Sequence, residues 1–502
     1  MHRQRHFLAS IIFLWLTVSC NAVQHDAPGD QRYAEDRNGI TYNVFEHSRT
    51  ATKLSFVTNS GICETTPGVN QYSGYLTVND TLNMFFWFFE ARNAPATSPV
   101  VMWLNGGPGC SSMMGLFVEN GPCYFPGGAT EPYTNAFSWN TVANMLYVDQ
   151  PGETGFRPQT DQASPSYGAN DIASTANAST IIWIFMQVFY DAFPQYVNRN
   201  FSLFTESYGG HFGPEFALNF HTKNLLIDDG QLPGSRRINL VSLAINNPWL
   251  DPVTQYRSYL TFALNNTYRP LINETLFFPA LLKYYQHCYP AIKNCTSTGT
   301  GDAANCSMAA DECYVSTAWQ VEELHDGHDG VYDKGFSQYD IRQPADSAFP
   351  PDDAFERYLN RDEVKLAVGV PVEMGFVACL DQVNNRFGEG GDQARSFLGE
   401  LGKVVDAGIT VLLWAGDADW ICNWMGVLDF AHAIDFPNRE LFVNTPVVPL
   451  TVNGQVYGEY KTVDNLSWLR VYNSGHFVPY YQPLMSLEVF VQTIYGAPIH
   501  AT

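Results

Sequence analysis

The chain has 502 residues, 45% hydrophobic and 14% aromatic, enough for one enlarged core with insertions or for two domains. Its 50 Asp and Glu residues outnumber 27 Lys and Arg, for a formal charge of -23. That balance excludes nucleic acid and anionic membrane surfaces as natural partners and suits a soluble protein in acidic surroundings.

The first residues read "MHRQRHFLASIIFLWLTVSCNAVQ". Arg3 and Arg5 precede an apolar stretch from Phe7 to Val18, and small residues follow with Ala22 as a cleavage point. Residues 1–22 are therefore expected to be a secretory signal peptide, the alternative being a buried or anchoring N-terminal helix. Later apolar runs are too short to span a bilayer, and the C-terminal "YGAPIHAT" carries neither an anchor tail nor a retention tetrapeptide. The expected protein is exported, extracellular or vacuolar, without a membrane anchor.

Asn-x-Ser/Thr sequons at Asn79, Asn177, Asn200, Asn265, Asn273, Asn294, Asn305 and Asn465 agree with export. Without Cys20, nine cysteines remain, enough for four bridges and one free thiol. The spacing of Cys288, Cys295, Cys306 and Cys313 suggests nested pairs, 288–313 and 295–306. A zinc site is the alternative, disfavoured because CxxC pairs are lacking.

Along the chain, "DTLNMFFWFFEA" reads as an antiparallel strand. Five nearly continuous apolar runs then end in Gly- or Asp-bearing turns: "PVVMWLNGGPG", "ANMLYVDQPG", "NFSLFTESYGG", "INLVSLAINNPW" and "ITVLLWAGDAD". A sixth, "WLRVYNSGH", closes the set. Helical stretches over 171–193 and 212–223 lie between them. Alternating strand and helix predicts an α/β fold with a largely parallel sheet covered on both faces. Residues 250–370, with the cysteine quartet, four sequons and Pro/Asp clusters, break the rhythm and read as an inserted cap. The core is then 23–249 and 371–502.

Functional side chains of an open parallel sheet gather where strands end. "TESYGG" puts Ser207 on a strand-to-helix turn like the G-x-S-x-G nucleophile elbow, with Thr205 in place of its first glycine. "WAGDADW" ends a later strand with Asp417 and Asp419, and "NSGHFVP" ends the last with His476. Serine requires a base and an orienting carboxylate to act as a nucleophile, and the order Ser, Asp, His is that of α/β-hydrolases. In "WLNGGPGCSS", Gly106 and Gly107 permit close backbone approach and an oxyanion donor beside the Tyr208 N–H.

"WLNGGPGCSSMMGLFVENGP", "TESYGGHFGP", "GDADWICNW" and "NSGHFVP" together resemble the serine carboxypeptidase family of the carboxypeptidase Y type, in order over essentially the whole mature chain. The resemblance implies an α/β-hydrolase core with an inserted cap, removing C-terminal amino acids from peptides, usually best in acid. It implies Ser207 as nucleophile, His476 as general base and acid, Asp419 as orienting carboxylate, and the N–H groups of Gly107 and Tyr208 as the oxyanion hole. Asn105 and Glu206 would grip the substrate's terminal carboxylate, with Glu119 paired to Glu206 and Trp103 positioning the set. Asp417 resembles the family's non-catalytic aspartate.

The resemblance further implies disulfides Cys63–Cys123 and Cys110–Cys379, leaving Cys422 free in the pocket wall. Met114, Val118 and Phe477 match the terminal side-chain pocket; all are apolar, which favours hydrophobic C-terminal residues. A glutamate pair beside a substrate anion is expected to have raised pKa values, with Glu206 carrying the proton. "DQPGETGFR" departs from the family's "DQPVGTGFS" by adding Glu153 and Arg157. No metal or organic cofactor is called for. Two rival readings remain, an acyltransferase on the same scaffold and a non-catalytic binding protein.

Overall fold

A computed structural model describes residues 27–79, 82–158, 172–295, 302–318, 321, 335–347 and 353–502. The expected signal peptide lies outside them. The chain opens with an antiparallel meander of β1 (Gln31–Arg37), β2 (Ile40–His47), β3 (Thr52–Thr58), β4 (Gln71–Thr77) and β5 (Asn83–Phe89). β6 (Val100–Leu104) precedes a small ribbon of β7 (Cys123–Tyr124) and β8 (Tyr133–Thr134). β9 (Asn144–Val148), β10 (Gly155–Pro158), β11 (Phe201–Glu206) and β12 (Leu240–Asn246) follow. β13 (Met374–Val377) pairs with β10, and β14 (Thr410–Gly416), β15 (Val448–Val452), β16 (Gln455–Val463) and β17 (Leu466–Val471) complete the set.

Thirteen of these form one sheet in the order β1-β2-β3-β4-β5-β9-β6-β11-β12-β14-β17-β16-β15. The block β9-β6-β11-β12-β14-β17 is parallel throughout, and these are the six apolar runs read from the sequence. β5 is antiparallel to β4 and β9. Parallel strands are buried on both faces, and their side chains alternate between two cores. In β6, Val100, Met102 and Leu104 enter one, while Val101 and Trp103 enter the other.

The first core is closed by helices Thr175–Ala192 and Gly209–Asp228, through Phe185, Phe189, Phe212 and Phe216. The former begins where Ser174 caps it, accepting from the Asn177 N–H; Asp171 lies outside the described residues. The latter starts at Gly209 rather than the expected 212, because the glycine pair read as a turn is already helical. The second core packs against Gly115–Asn120 and Pro483–Ile494, where Phe490 stacks on Trp139 at 4.1 Å. Between β12 and β13, helices Pro252–Leu264, Glu274–Lys283 and Ala303–Cys313 share a third cluster with Trp420. Residues Ala354–Leu359 pack instead into the second core.

Disulfides join Cys63 to Cys123, Cys110 to Cys379, Cys288 to Cys313 and Cys295 to Cys306; Cys422 is free and buried. Among the described residues no helix is long and apolar enough to cross a membrane.

Two carboxyl groups are raised by burial, Asp149 fully buried and Glu215 half-buried. Asp149, just after β9, accepts from Ser111 Oγ and Ser112 N–H, both at 2.8 Å, and so holds the segment that leaves β6. Burial raises it to about 7. Glu215 is raised to about 7 by burial, then by the charges of Glu400 and Asp392. Asp191 is the opposite case: burial opposes its charge, but hydrogen bonds from His47 and Arg236 outweigh that and hold it at about 2.

Two measurements follow from this architecture. Among the sequons, Asn177, Asn200, Asn265, Asn273, Asn294 and Asn305 are exposed and Asn79 is half-buried. The Asn465 amide instead donates to Val405 O (2.9 Å) and Ile409 O (2.6 Å). Peptide mapping after enzymatic deglycosylation is expected to find Asn465 unmodified; a glycan there would overturn the reading. The second concerns pH. Stability from a carboxyl raised on folding is present below the ordinary value of about 4 and lost as pH climbs through the folded value, near 7 for Asp149 and Glu215. The Asp191 contribution runs the other way and is lost as pH falls toward 2. The calorimetric Tm is expected to fall by roughly 5 °C or more between about pH 5 and pH 8, less steeply in Asp149→Asn. An unchanged Tm over that range contradicts the assignment.

Candidate active site

β11 runs between β6 and β12 and delivers Ser207 directly after its last residue, at the mouth of helix Gly209–Asp228. Ser207 has φ 60°, in the left-handed region, which costs a non-glycine residue about 1–2 kcal/mol. Backbone hydrogen bonds hold it there: Ser207 N–H to Asn246 O (2.9 Å), and Trp249 N–H to Ser207 O (2.8 Å). Thr205, where the elbow pattern has glycine, fits because Gly209 has no side chain; a Cβ there would lie 2.5 Å from Thr205 Cβ. The Thr205 hydroxyl donates to Gly209 O at 2.9 Å, so the β-branched residue ties strand to helix.

Asp419 and His476 follow β14 and β17, neighbours in the sheet. His476 Nδ1 lies 2.7 Å from Asp419 Oδ2, which also accepts from Asn247 Nδ2 at 2.7 Å. Both residues are buried, and Asp419 Oδ1 has no partner among the described residues. Burial opposes the imidazolium, but the Asp419 charge and hydrogen bond, with Glu206 beyond, outweigh it and raise His476. Ser207 and His476 line the same cleft, of about 420 Å³. The Ser207 side chain also lies beside the buried Cys422 thiol. Burial, then the charges of Asp419 and Glu206, push the Cys422 thiol well up, so it is a neutral neighbour of the serine. Asp417 lies apart from the imidazole: it accepts from the Tyr268 hydroxyl at 2.6 Å and pairs with Arg470 at 3.6 Å.

Gly106 has no room for a side chain, since a Cβ would lie 2.4 Å from Tyr208 N and 2.6 Å from Glu206 O. This close approach brings the glycine loop against the elbow. The N–H groups of Gly107 and Tyr208 have no acceptor among the described residues, leaving two donors beside Ser207.

Glu206 and Glu119 are buried on the floor of the site. Asn105 is locked between them: its Oδ1 accepts from Trp103 Nε1 (2.8 Å) and Gly115 N–H (2.9 Å), which turns Nδ2 toward the acids. Nδ2 donates to Glu206 Oε1 at 3.0 Å and reaches Glu119 Oε1 at 3.5 Å. Glu206 Oε2 accepts from Asn246 Nδ2 at 2.6 Å. Burial raises both acids. Glu119 is raised further by the charge of Glu206 and the hydrogen bond between them, whereas His476, Glu119, Asn246 and Asn105 stabilise charge on Glu206. Both acids are thus held toward their protonated forms, and Glu206 has the more amide donors around it. Sequence analysis expected both values to be raised, and amide donors from two other strand ends converge on Glu206.

Met114 lines the cleft, as do the Cys110–Cys379 disulfide, Glu356 and Asp381. Val118, Phe477 and Cys422 are buried and do not line it, whereas Ile421 does. Glu153 pairs with Arg386 at 2.7 Å. Asn246 and Asn247 were missed in the sequence, although "INNPW" follows a strand directly; two amides at a strand end beside two acidic strand ends are the signal that was there.

A histidine oriented by a carboxylate, next to a serine on a strained turn with free N–H donors, is equipment for covalent acyl transfer. Residues 61–496 match the family model described as serine carboxypeptidase. The chain is 45% identical over 447 residues to carboxypeptidase S1 of Penicillium janthinellum, covering 89% of this chain and all of the relative. It is 35% identical over 439 residues to carboxypeptidase Y of Schizosaccharomyces pombe, covering 86% of this chain and 41% of that longer protein. Its fold matches the crystal structure of the prohormone-processing carboxypeptidase Kex1 from Saccharomyces cerevisiae with a TM-score of 0.72, 23% identity, and 86% and 94% of the two chains covered. An α/β-hydrolase scaffold with the serine, aspartate and histidine at its strand ends thus coincides with a family match over most of the chain, and the protein belongs to the serine carboxypeptidases.

Proposed function

We propose that the enzyme releases C-terminal amino acids from peptides through an acyl-enzyme, with Ser207 as nucleophile, His476 as base and then acid, and Asp419 orienting the imidazole. The reaction starts as Ser207 Oγ hands its proton to His476 Nε2, the ring nitrogen that faces away from Asp419. Oγ then attacks the last peptide carbonyl, and its proton passes through His476 to the departing amine. Water, deprotonated by the same imidazole, resolves the ester. The Gly107 and Tyr208 N–H groups receive the oxyanion, a contribution of about 10²–10³ in rate for each donor.

The observation that carries this reading is the carboxyl pair on the cleft floor. Asn105 Nδ2 and Glu206 sit within the same cleft as Ser207, so a group that recognises a chain end lies beside a group that can cleave the last bond. With one proton the pair is an anion and repels a carboxylate. A second proton, on Glu206, makes it a donor, so substrate binding strengthens as pH falls. The raised His476 sets the opposing limb, since the base must be neutral. The two limbs oppose one another, acid favouring binding and higher pH favouring the base, so activity is expected to peak between these two titrations.

We read the core as 23–249 and 371–502 and 250–370 as an insertion, of which helices Pro252–Leu264, Glu274–Lys283 and Ala303–Cys313 form the cap while Ala354–Leu359 belongs with the second core. Disulfides, surface sequons and the N-terminal apolar stretch support passage through the secretory pathway to an extracellular or vacuolar destination.

With an N-blocked dipeptide, KM is expected to rise roughly tenfold or more between about pH 5 and pH 8, and to stay nearly level in Glu206→Gln. A KM independent of pH in the unmodified enzyme contradicts the carboxyl-pair reading. Ser207→Ala is expected to lose at least about 10³ in kcat and all labelling by a serine-directed phosphonate; retained turnover rejects the mechanism.

A further inference from the structure

Tyr208, whose N–H faces the oxyanion position, also has a buried side chain, and the mechanism above does not use it. Its hydroxyl donates to Asp392 Oδ2 at 2.7 Å. Asp392 is 2% exposed and opens a short 3-10 turn, Asp392–Ala394, after helix Asp381–Glu389. The same carboxylate accepts from the Thr175 N–H (3.0 Å) and the Thr175 hydroxyl (2.6 Å) at the start of helix Thr175–Ala192. Burial, then the Asp392 charge, pushes the Tyr208 phenol well up, so it remains a donor. The ring is confined by His211, stacked at 4.3 Å, and by Phe387 edge-on at 5.9 Å.

The next residue reaches the other half of the site. Gln393 Nε2 donates to Asn384 O and Asn384 Oδ1, both at 3.1 Å, which leaves Asn384 Nδ2 to donate to Gly107 O at 3.2 Å. Gln393 O accepts from Trp249 Nε1 at 3.2 Å, and the Trp249 N–H donates to Ser207 O at 2.8 Å. One turn is thus linked to Tyr208, to Gly107 and to Ser207. The turn is itself pinned: Gly391 has φ 68°, and a Cβ there would lie 2.4 Å from Ala303 O of the helix Ala303–Cys313.

We propose that the Asp392–Gln393 turn is a brace that positions the oxyanion hole, Asp392 acting through the Tyr208 phenol and Gln393 through Asn384 on Gly107. None of the three touches the reacting atoms through this network; Asp392, Gln393 and Asn384 are positioning residues. The inference rests on the acyl-transfer reading. The strained Ser207 turn supplies the need for it, since a residue at φ 60° and the N–H that follows it keep their orientation only if the surroundings impose it. A merely architectural reading, in which Asp392 caps helix Thr175–Ala192, predicts that removing the Tyr208 hydroxyl alone changes nothing in catalysis.

The test compares Tyr208→Phe, Asp392→Asn, their double variant and Gln393→Ala. Each is measured for kcat and KM on an N-blocked dipeptide near pH 5, for the rate of Ser207 phosphonylation, and for Tm. Tyr208→Phe and Asp392→Asn are each expected to lower kcat by about 10–100-fold with KM within about threefold, the range expected for a misplaced donor. Phosphonylation should slow in parallel. The double variant should be within about twofold of the worse single one, because both break the same hydrogen bond. Gln393→Ala is expected to lower kcat by about tenfold. A Tyr208→Phe enzyme with kcat within about twofold of the unmodified enzyme overturns the brace, including when Asp392→Asn loses Tm. Should Asp392→Asn fail to fold, Tyr208→Phe decides alone. Failure of the unmodified enzyme to hydrolyse the dipeptide and to react with phosphonate overturns both the peptidase reading and the brace; an active enzyme indifferent to Tyr208→Phe overturns only the brace.

Discussion

The left-handed backbone of Ser207 is the constraint on which the site depends. A non-glycine residue keeps φ 60° only when its neighbours enforce it, and here the enforcers are the carbonyl of Asn246 from β12 and the N–H of Trp249 just beyond. The same geometry ends β11, begins the following helix, and aims the Tyr208 N–H out of the sheet. Because β6 and β12 flank β11 in parallel, the glycine loop after β6 and the asparagine pair after β12 arrive at the same end. Gly106 then lies within van der Waals distance of the elbow, and Asn246 and Asn247 divide between Glu206 and Asp419.

Electrostatics makes a second layer. Glu119, Glu206 and Asp149 are buried and Glu215 half-buried, all with few basic partners, so each is raised toward its protonated form. The proposed recognition of a chain end draws on this, because a carboxyl can donate to a carboxylate only while it holds a proton. The fold gains too, because acid removes the charges that burial penalises. A chain with formal charge -23 is relieved of self-repulsion by the same protons. Asp191, surrounded by His47, Arg49 and Arg236, is the counterexample that keeps a charge in the interior by matching it.

Much of the site was legible in the sequence for a local reason. Ser207, Asp419 and His476 each follow an apolar strand within a few residues, so the strand pattern alone places them on one edge of the sheet. The six parallel strands were equally legible, as continuous apolar runs. The meander β1–β4 and the hairpin β15–β16 were not, because their half-exposed strands mix polar and apolar residues and lack a chemical motif at their ends. Thr205 looked like a disturbance to the elbow and is a tie to Gly209 instead. Val118 and Phe477 looked like pocket residues but are buried and do not line the cleft, which Met114 alone of the three lines.

By itself the sequence determined the six parallel strands, the family and the strand-end positions of Ser207, Asp419 and His476, because each resides in a short contiguous motif whose spacing the backbone translates directly into position. Tertiary structure decided which donors meet the buried acids, which residues line the cleft, and which groups hold the elbow. Those depend on groups far apart in the chain: Asn246 meeting Glu206 across 40 residues, and Asp392 meeting Tyr208 across 184. No local pattern marks such pairs, since a buried carboxylate is drawn to whichever donors the packed fold brings within reach.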